Sequence, residues 1–227
     1  MDNLALGVIG AGLLVALIAL LQQQRHAGAR RQAARAAFFD GCKELFTDGL
    51  KAIAPTGFPR LSGRYRGQTF DLQAVPDTLT YRKLPALWVL VTLRAPQPVR
   101  ATFDLMIRPG GFAPFSHFHA LPDQITPPAG FPADCAIRSD DPSNLPDESL
   151  LRRHLPLFQD ARMKELVISP KGLRLVWLAE EANRGRYLLF RDAEMGRSPV
   201  SAAAIRPLMD ALLALQADLV LPLEQSA

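Results

Sequence analysis

Two histidines separated by one residue are the sharpest candidates for chemistry in this sequence. They form the segment His117-Phe118-His119. On a β-strand, positions i and i+2 face the same side, so His117 and His119 could bind one metal ion together. Such a site needs at least one further ligand, and the prolines around the segment favour a loop over a strand. We therefore predict loop histidines with no metal and no cofactor, and retain His117 and His119 as weak metal candidates.

Four carboxylates lie close together further along the same region. Paired carboxylates perform acid–base chemistry when burial separates their pKa values. Here Ser, Asn and Pro residues stand between them, which is typical of solvated loops and helix caps. The sequence also contains no Gly-x-Ser-x-Gly elbow, no phosphate-binding Gly-Lys-Ser/Thr loop and no His-Glu-x-x-His helix. We predict no catalytic residues and a non-enzymatic protein. The four carboxylates are Asp140, Asp141, Asp147 and Glu148.

The two cysteines, Cys42 and Cys135, are too few for a disulfide framework or a zinc site of their own. Cys42 falls within an apolar helical pattern, where a thiol usually packs as a small hydrophobic group. We predict two reduced structural thiols. A Cys42–Cys135 bridge is the alternative that a periplasmic domain would allow.

Residues 109–149 differ in composition from the rest of the chain. Their eight prolines oppose both helix and central strand, so we predict a long loop. The same stretch contains Phe112, Phe115, Phe118 and Phe131. Two interpretations remain open: these aromatic side chains form a surface for a partner or the membrane interface, or they close over the sheet as core.

The segments that must position these residues alternate between strand patterns and turn signals. Sequential strands joined by short turns imply an antiparallel sheet. We predict an α+β domain with a meander of about seven strands, flanked by an N-terminal helix over 29–54 and a C-terminal helix capped by Ser198. The strand candidates are 61–65, 69–74, 78–81, 86–95, 99–107, 164–168, 173–178 and 186–191.

The N-terminal segment from Leu4 to Leu21 is apolar on every helical face. Its eighteen uncharged residues would span about 27 Å as a helix, close to the thickness of a bilayer's hydrocarbon core. A cleaved signal peptide is the alternative, but it requires a basic start and a shorter apolar run. This chain begins Met1-Asp2-Asn3. We predict an uncleaved signal anchor, a single-pass transmembrane helix.

The positive charges of the chain are concentrated just after this segment, at Arg25, Arg30, Arg31 and Arg35. The whole chain has a formal charge of +4, and these arginines with Asp2 account for +3, so the remainder is close to neutral. A neutral domain lacks the basic footprint of nucleic-acid binding. Arginines beside a span favour the cytoplasmic side. We predict an N-terminus outside and a cytoplasmic domain.

The apolar segment also contains two pairs of small residues at four-residue spacing, Gly7 with Ala11 and Gly12 with Ala16. Such pairs let another transmembrane helix approach closely. They predict helix packing against a membrane partner.

These features predict a membrane-anchored accessory or scaffold protein that acts through protein–protein contacts, with membrane lipids and a membrane protein or complex as partners. The alternative is a tethered binding domain for a lipid or small apolar ligand beneath the 109–149 loop. The predicted organisation is an extracytoplasmic N-terminus at 1–3, a transmembrane helix at 4–21, a basic juxtamembrane segment at 22–37, an α+β domain at 38–222 and a tail at 223–227.

Overall fold

A computed structural model describes residues 2–78, 84–190 and 193–224, and within them confirms the α+β class. Four short 3-10 helices cover Asp40–Leu45, Phe118–Ala120, Pro142–Asn144 and Leu155–Gln159. The α-helices and strands, in chain order, are α1 (Asp2–Ala36), β1 (Thr47–Ile53), β2 (Pro59–Tyr65), β3 (Gln68–Asp77), β4 (Ala86–Leu93), β5 (Phe103–Ile107), β6 (Asp123–Ile125), β7 (Cys135–Ser139), α2 (Glu148–His154), β8 (Met163–Ser169), β9 (Gly172–Glu181), α3 (Arg184–Phe190) and α4 (Ala202–Glu224).

The described strands form one open antiparallel sheet in the order β1-β2-β3-β4-β9-β8-β5-β7-β6. The antiparallel prediction is confirmed, but the simple meander is wrong, because the β8–β9 hairpin lies between β4 and β5. The lengths of the strands explain why the β8–β9 hairpin lies next to β4. The ladder from β4 to β9 runs from Ala86 opposite Glu181 to Leu93 opposite Leu173, whereas β5 has only five residues. A five-residue neighbour would leave several backbone groups of β4 unpaired.

Helices cover one face of the sheet. Alternate side chains of β4 and β9 point to this face, where they pack against α4, and α4 in turn contacts the 3-10 helix Asp40–Leu45. The apolar stripe of α4 supplies the opposing surface. Its buried members include Ile205, Met209, Leu212 and Leu215.

The other face carries a polar row across neighbouring strands. Arg174 is paired with Thr92 on one side and with Val167 on the other, and Val167 is paired with Asp104, which is paired with Arg138. Beside this row lies a small apolar cluster, covered by the connection between β5 and β6. The cluster contains Leu90, Met106, Phe115, Phe118 and Val176.

The predicted 109–149 loop is therefore only partly a loop. It contains β6 and β7, which extend the sheet beyond β5. The prolines do not prevent this, because none falls within Asp123–Ile125 or Cys135–Ser139. A strand of three to five residues fits between them.

The helix predicted over 29–54 ends early. Helix α1 ends at Ala36, and residues 47–53 form an edge strand instead. The ladder between β1 and β2 is irregular between Thr47 and Leu50, where Asp48 has a φ of +56°. The Asp48-Gly49 pair thus forms a bulge that a helix would not accommodate. The ammonium of Lys51 donates to Asp40 at 2.6 Å.

Two further predictions need correction. The strand predicted at 186–191 is helix α3 as far as Phe190, and residue 191 lies outside the described range. The predicted cap Ser198 precedes the helix by several residues; the hydroxyl of Ser201 accepts from the N–H of Ala204 at 3.3 Å. The strand predicted at 78–81 lies outside the described residues except for Thr78.

The sheet has two distinct ends. We call the end at which β1, β3, β5 and β9 finish the anchor end, because the last turn of α1 packs there. The guanidinium of Arg35 lies 5.5 Å from the ring centroid of Phe58, in the turn between β1 and β2. We call the opposite end, which includes the β8–β9 turn, the far end.

Helix α1 continues without a break through the predicted juxtamembrane segment. Among the residues that the structure describes, no helix is both long enough and apolar enough to cross a membrane. Four residues of the predicted span have side chains that are not among those described, namely Leu4, Ala5, Leu6 and Ile9.

Candidate functional site

The most unusual chemical feature of the fold is a pair of buried carboxyl groups on the second face of the sheet. Asp104 on β5 is 3% exposed and Glu165 on β8 is 0% exposed. In the ladder between these strands, Asp104 lies opposite Val167 and Met106 lies opposite Glu165. The two acids are therefore diagonal neighbours on one face, a separation within reach of long side chains.

Ser116 connects the covering segment to this pair. Its hydroxyl donates a hydrogen bond to Oε1 of Glu165 and accepts one from the N–H of Phe118 at 2.9 Å. Phe115 and Phe118 on either side are buried in the apolar cluster. The covering segment thus closes on the sheet with two aromatic contacts around one polar contact.

The pair has more acceptors than donors. Oδ1 of Asp104 and Oε2 of Glu165 are buried with no hydrogen-bond partner among the described residues. Burial raises the pKa of both carboxyl groups, and the charge of Glu165 raises that of Asp104 further. The hydrogen bond from Ser116 and the charge of Arg174 oppose the rise at Glu165. A proton retained by one carboxyl supplies the missing donor.

A cleft of about 580 Å³ opens from this pair toward the far end of the sheet. Three cations line its wall: Arg94, Lys171 and Arg174. The Nε–H of Arg174 donates to Oγ1 of Thr92 at 3.2 Å, which fixes the guanidinium across β4 and β9. The cleft combines an acid pair that retains one proton with cations that attract an anion. Chemically, it can bind a small polar ligand and exchange a proton with it.

The predicted metal candidates do not form a site together. The 3-10 helix Phe118–Ala120 holds this segment, so the assumption of strand geometry is wrong. His117 is exposed and lines the cleft, whereas Nε2 of His119 lies 2.9 Å from the carbonyl oxygen of Gly110. No group of three or more metal-ligand side chains occurs in the described part of the chain.

The four phenylalanines of the predicted interface loop have different environments. Phe115 and Phe118 are buried in the cluster on the second face, and Phe131 is buried on the helix-covered side beneath Arg152. Phe112 is 72% exposed. Phe115, Phe118 and Phe131 therefore pack as core residues. The interpretation as a surface for a partner or the membrane remains for Phe112.

The acidic residues of the second half of this region are caps and loop contacts. Asp147 accepts from the N–H of Ser149 at 2.8 Å at the start of α2, and Asp141 accepts from the N–H of Ser143 at 3.0 Å. Asp140 accepts from the N–H of Thr102 at 2.6 Å. The capping interpretation is confirmed.

Both cysteines are free thiols. Cys42 is fully buried and its Sγ donates to the carbonyl oxygen of Val200 at 3.5 Å. Burial, with the charge of Glu44, raises the pKa of Cys42 to about 12. This thiol has no reactive character.

The residues predicted to pack against a partner helix are accessible. Gly7, Ala11, Gly12 and Ala16 are all exposed on α1, and a Cβ added at Gly7 or Gly12 would meet no atom within 4 Å. The basic residues Arg25, Arg30 and Arg31 follow on the same helix, and Arg35 packs on Phe58. These positions are compatible with helix packing, which stays a prediction.

Sequence reasoning overlooked the buried acid pair. Alternation along residues 99–107 puts Asp104 on one face of the strand with Thr102 and Met106, opposite the apolar side chains of Phe103, Leu105 and Ile107. The signal was Met106, since an apolar residue on a face taken as solvated indicates that something covers it. The cover comes from residue 116 and its neighbours, which no local pattern could assign to this face.

Comparison with models of known protein families, with curated proteins and with solved structures finds no match.

Proposed function

We propose that the chain is a single-pass membrane protein whose domain acts as an accessory or scaffold within a membrane assembly. The observation that carries the proposal is the exposure of α1. Its described large apolar side chains between Val8 and Leu21 are between 46% and 68% exposed, and none of them belongs to the hydrophobic core of the domain. Water would oppose such a surface, whereas a bilayer would cover it.

The charge pattern supports a cytoplasmic domain. Arg25, Arg30 and Arg31 follow the apolar run within a few residues, and Asp2 is the one charge before it. Retention of such arginines on the cytoplasmic side sets the orientation of a span. The N-terminus would then lie outside.

The exposed small residues of α1 support a protein partner. In a bilayer, close helix packing depends on such residues because lipid already surrounds the larger apolar side chains. A membrane complex that receives α1 by this face would hold the domain beside its cytoplasmic surface.

Membrane fractionation with topology reporters tests the anchor. We expect the chain to resist carbonate extraction, and a green fluorescent reporter fused at Ala227 to fluoresce. A Leu13→Arg/Leu17→Arg variant should leave the membrane, since each charge at a span centre costs about 3 kcal/mol. Alkaline phosphatase activity from a fusion at Ala227 would contradict the orientation.

Affinity purification in mild detergent tests the partner. We expect the full chain to bring down a defined membrane protein, and a Gly7→Leu/Gly12→Leu variant to lose most of it. Val15→Leu, outside the two small-residue pairs, serves as the matched control. A strictly monomeric chain without a partner would count against the scaffold proposal.

A second candidate function, a binding domain for a lipid or small apolar ligand, is favoured by a cleft of about 580 Å³ at the anchor end. Trp88, Met106, Phe112 and Phe115 line it, and the rings of Trp88 and Phe115 lie 4.8 Å apart. The Nε1–H of Trp88 is buried without a partner among the described residues. Charged residues also line the cleft, namely Asp77, Arg108, Arg162, Lys164 and Glu181. A cleft that combines apolar and polar groups in this way can bind a lipid by both its chain and its headgroup.

Displacement of a fluorescent fatty acid tests this candidate. We expect saturable binding to the full chain, a strong loss in an Ala113→Trp variant that fills the cleft, and no change in a Ser143→Ala control. An absence of saturable binding to the folded chain would remove the candidate.

A further inference from the structure

The exposed apolar side chains of the domain are concentrated at one end. Outside α1, the described large apolar residues that are exposed are Leu50, Ile53, Phe112, Leu188, Leu189, Val220 and Leu221. Four of these seven, Ile53, Phe112, Leu188 and Leu189, lie at the anchor end of the sheet, whereas Val220 and Leu221 lie near the end of α4. Isolated exposed apolar residues are normal on a protein surface, but a set gathered at one end indicates a contact.

The far end of the sheet provides the comparison. Its connections at 66–67, 94–102, 140–147 and 170–171 are fully described and contain no exposed large apolar side chain. Among the connections at the ends of the strands, the exposed apolar residues are therefore found at the end where α1 attaches.

Helix α3 supplies the most prominent pair. Leu188 is 58% exposed and Leu189 is 78% exposed, and Arg184 at the start of the same helix is also exposed. Adjacent exposed leucines beside an arginine are typical of segments that lie in a membrane interface, where the guanidinium stays with the headgroups.

Residues 194–197 lie beside the basic part of α1. Glu194 and Arg197 form a groove with α1 that reaches back to Gln22 and Ala19, at the end of the apolar run. A Cβ at Gly196 would lie 3.6 Å from Cγ of Arg35. Three residues lie between Phe190 and Glu194, so four Cα–Cα steps keep the end of α3 within about 14 Å of Glu194.

Helix length sets how far the domain stands from the bilayer. The fourteen residues from Gln22 to Arg35 rise about 21 Å. Headgroups occupy roughly 5–8 Å outside the hydrocarbon core. Helix α3 follows β9 at the anchor end of the sheet, the end at which α1 attaches, and the arginines of α1 would attract anionic lipids.

We propose that the anchor end of the sheet rests on the cytoplasmic bilayer surface through Leu188 and Leu189 of α3, with anionic lipid as its partner. This inference rests on the proposed function, since it takes α1 as the span. The contact would fix the orientation of the domain instead of leaving it free to swing on α1.

Bromine quenching of introduced tryptophans tests the contact. The full chain is reconstituted into vesicles of phosphatidylglycerol and bromine-labelled phosphatidylcholine. Single variants carry Leu189→Trp at α3, Leu17→Trp within α1, or Lys171→Trp at the far end. The two native tryptophans, Trp88 and Trp177, provide a common background and all three substituted positions are exposed, so the variants should fold.

We expect roughly twofold quenching of the added emission for Leu189→Trp and for Leu17→Trp, and none for Lys171→Trp. If Leu17→Trp is quenched and Leu189→Trp behaves like Lys171→Trp, the domain contact is overturned while the anchor stands. If Leu17→Trp itself escapes quenching, the proposed anchor fails.

Discussion

The hydroxyl of Ser116 donates a hydrogen bond to the buried carboxyl group of Glu165, 49 residues further along the chain. This bond joins the covering segment after β5 to the strand β8. It is one of few polar contacts within an otherwise apolar cluster, so its removal should be measurable.

We predict that Ser116→Ala destabilises the fold by about 1–3 kcal/mol, because Glu165 then lacks a donor while it remains buried. Urea unfolding of the full chain in detergent micelles, followed by circular dichroism, measures the change. Ser143→Ala is the matched control, since Ser143 is exposed, and should change stability by less than about 0.5 kcal/mol. Equal stability of Ser116→Ala and wild type would show that the contact contributes nothing.

The acid pair should make stability depend on pH. Burial raises the pKa of Asp104 and Glu165 in the folded state, so the folded chain binds protons more tightly than the unfolded chain. Their contribution is complete below the ordinary carboxyl pKa of about 4 and is lost as pH rises through the raised values. Arg174 and Lys164 lower the pKa of Glu165 but do not reverse its direction.

Glu165→Gln should therefore flatten the pH dependence. We expect the melting temperature of the wild type to fall more steeply than that of the variant between about pH 5 and pH 9. This range starts just above the ordinary carboxyl pKa and extends through the raised values. Thermal melts across this range compare the two slopes. A variant slope as steep as that of the wild type would place the titration elsewhere.

Gly172 is the first residue of β9, and its backbone conformation and surroundings should not accommodate any other residue. Its φ is +153°, and an added Cβ would lie 2.3 Å from the carbonyl oxygen of Leu93. We predict a loss of about 2–3 kcal/mol for Gly172→Ala in chemical unfolding. At Gly111, an added Cβ meets no atom within 4 Å, so Gly111→Ala should be nearly neutral. Similar values for both would contradict the predicted clash.

The thiol of Cys42 should be inert in the folded chain. Burial raises its pKa to about 12, so little thiolate exists at pH 8. In a Cys135→Ser variant, which isolates Cys42, we expect no reaction with an aromatic disulfide reagent until denaturant unfolds the domain. Rapid labelling under native conditions would show that the site opens.

Local patterns predicted the class of this fold but not its order of strands. The apolar run from Ala86 predicts a central strand correctly, because burial on both faces produces a continuous apolar segment. Which strand pairs with it depends on lengths and distant contacts. The spacing of Leu45, Leu50 and Ile53 fits a helix as well as a strand, and the bulge at Asp48 decides between them.

The candidate site was still less visible from the sequence. Alternation assigns Asp104 and Glu165 to a face, yet whether that face is solvated depends on a covering segment far along the chain. Ser116 and its neighbouring phenylalanines provide the cover, through contacts with residues up to 49 positions away. Buried carboxyl groups of this kind can be recognised only from the tertiary structure.

The bulge at the start of β1 has a consequence for crowding. A domain anchored as proposed would meet its own copies within a plane, where local concentrations are high and collisions repeat edge to edge. A regular, fully exposed outer strand would invite such copies to extend the sheet into aggregates. The irregular ladder between Thr47 and Leu50, with Lys51 beside it, interrupts that edge. One of the two outer strands of the described sheet is thereby poorly suited to pair with a neighbouring copy.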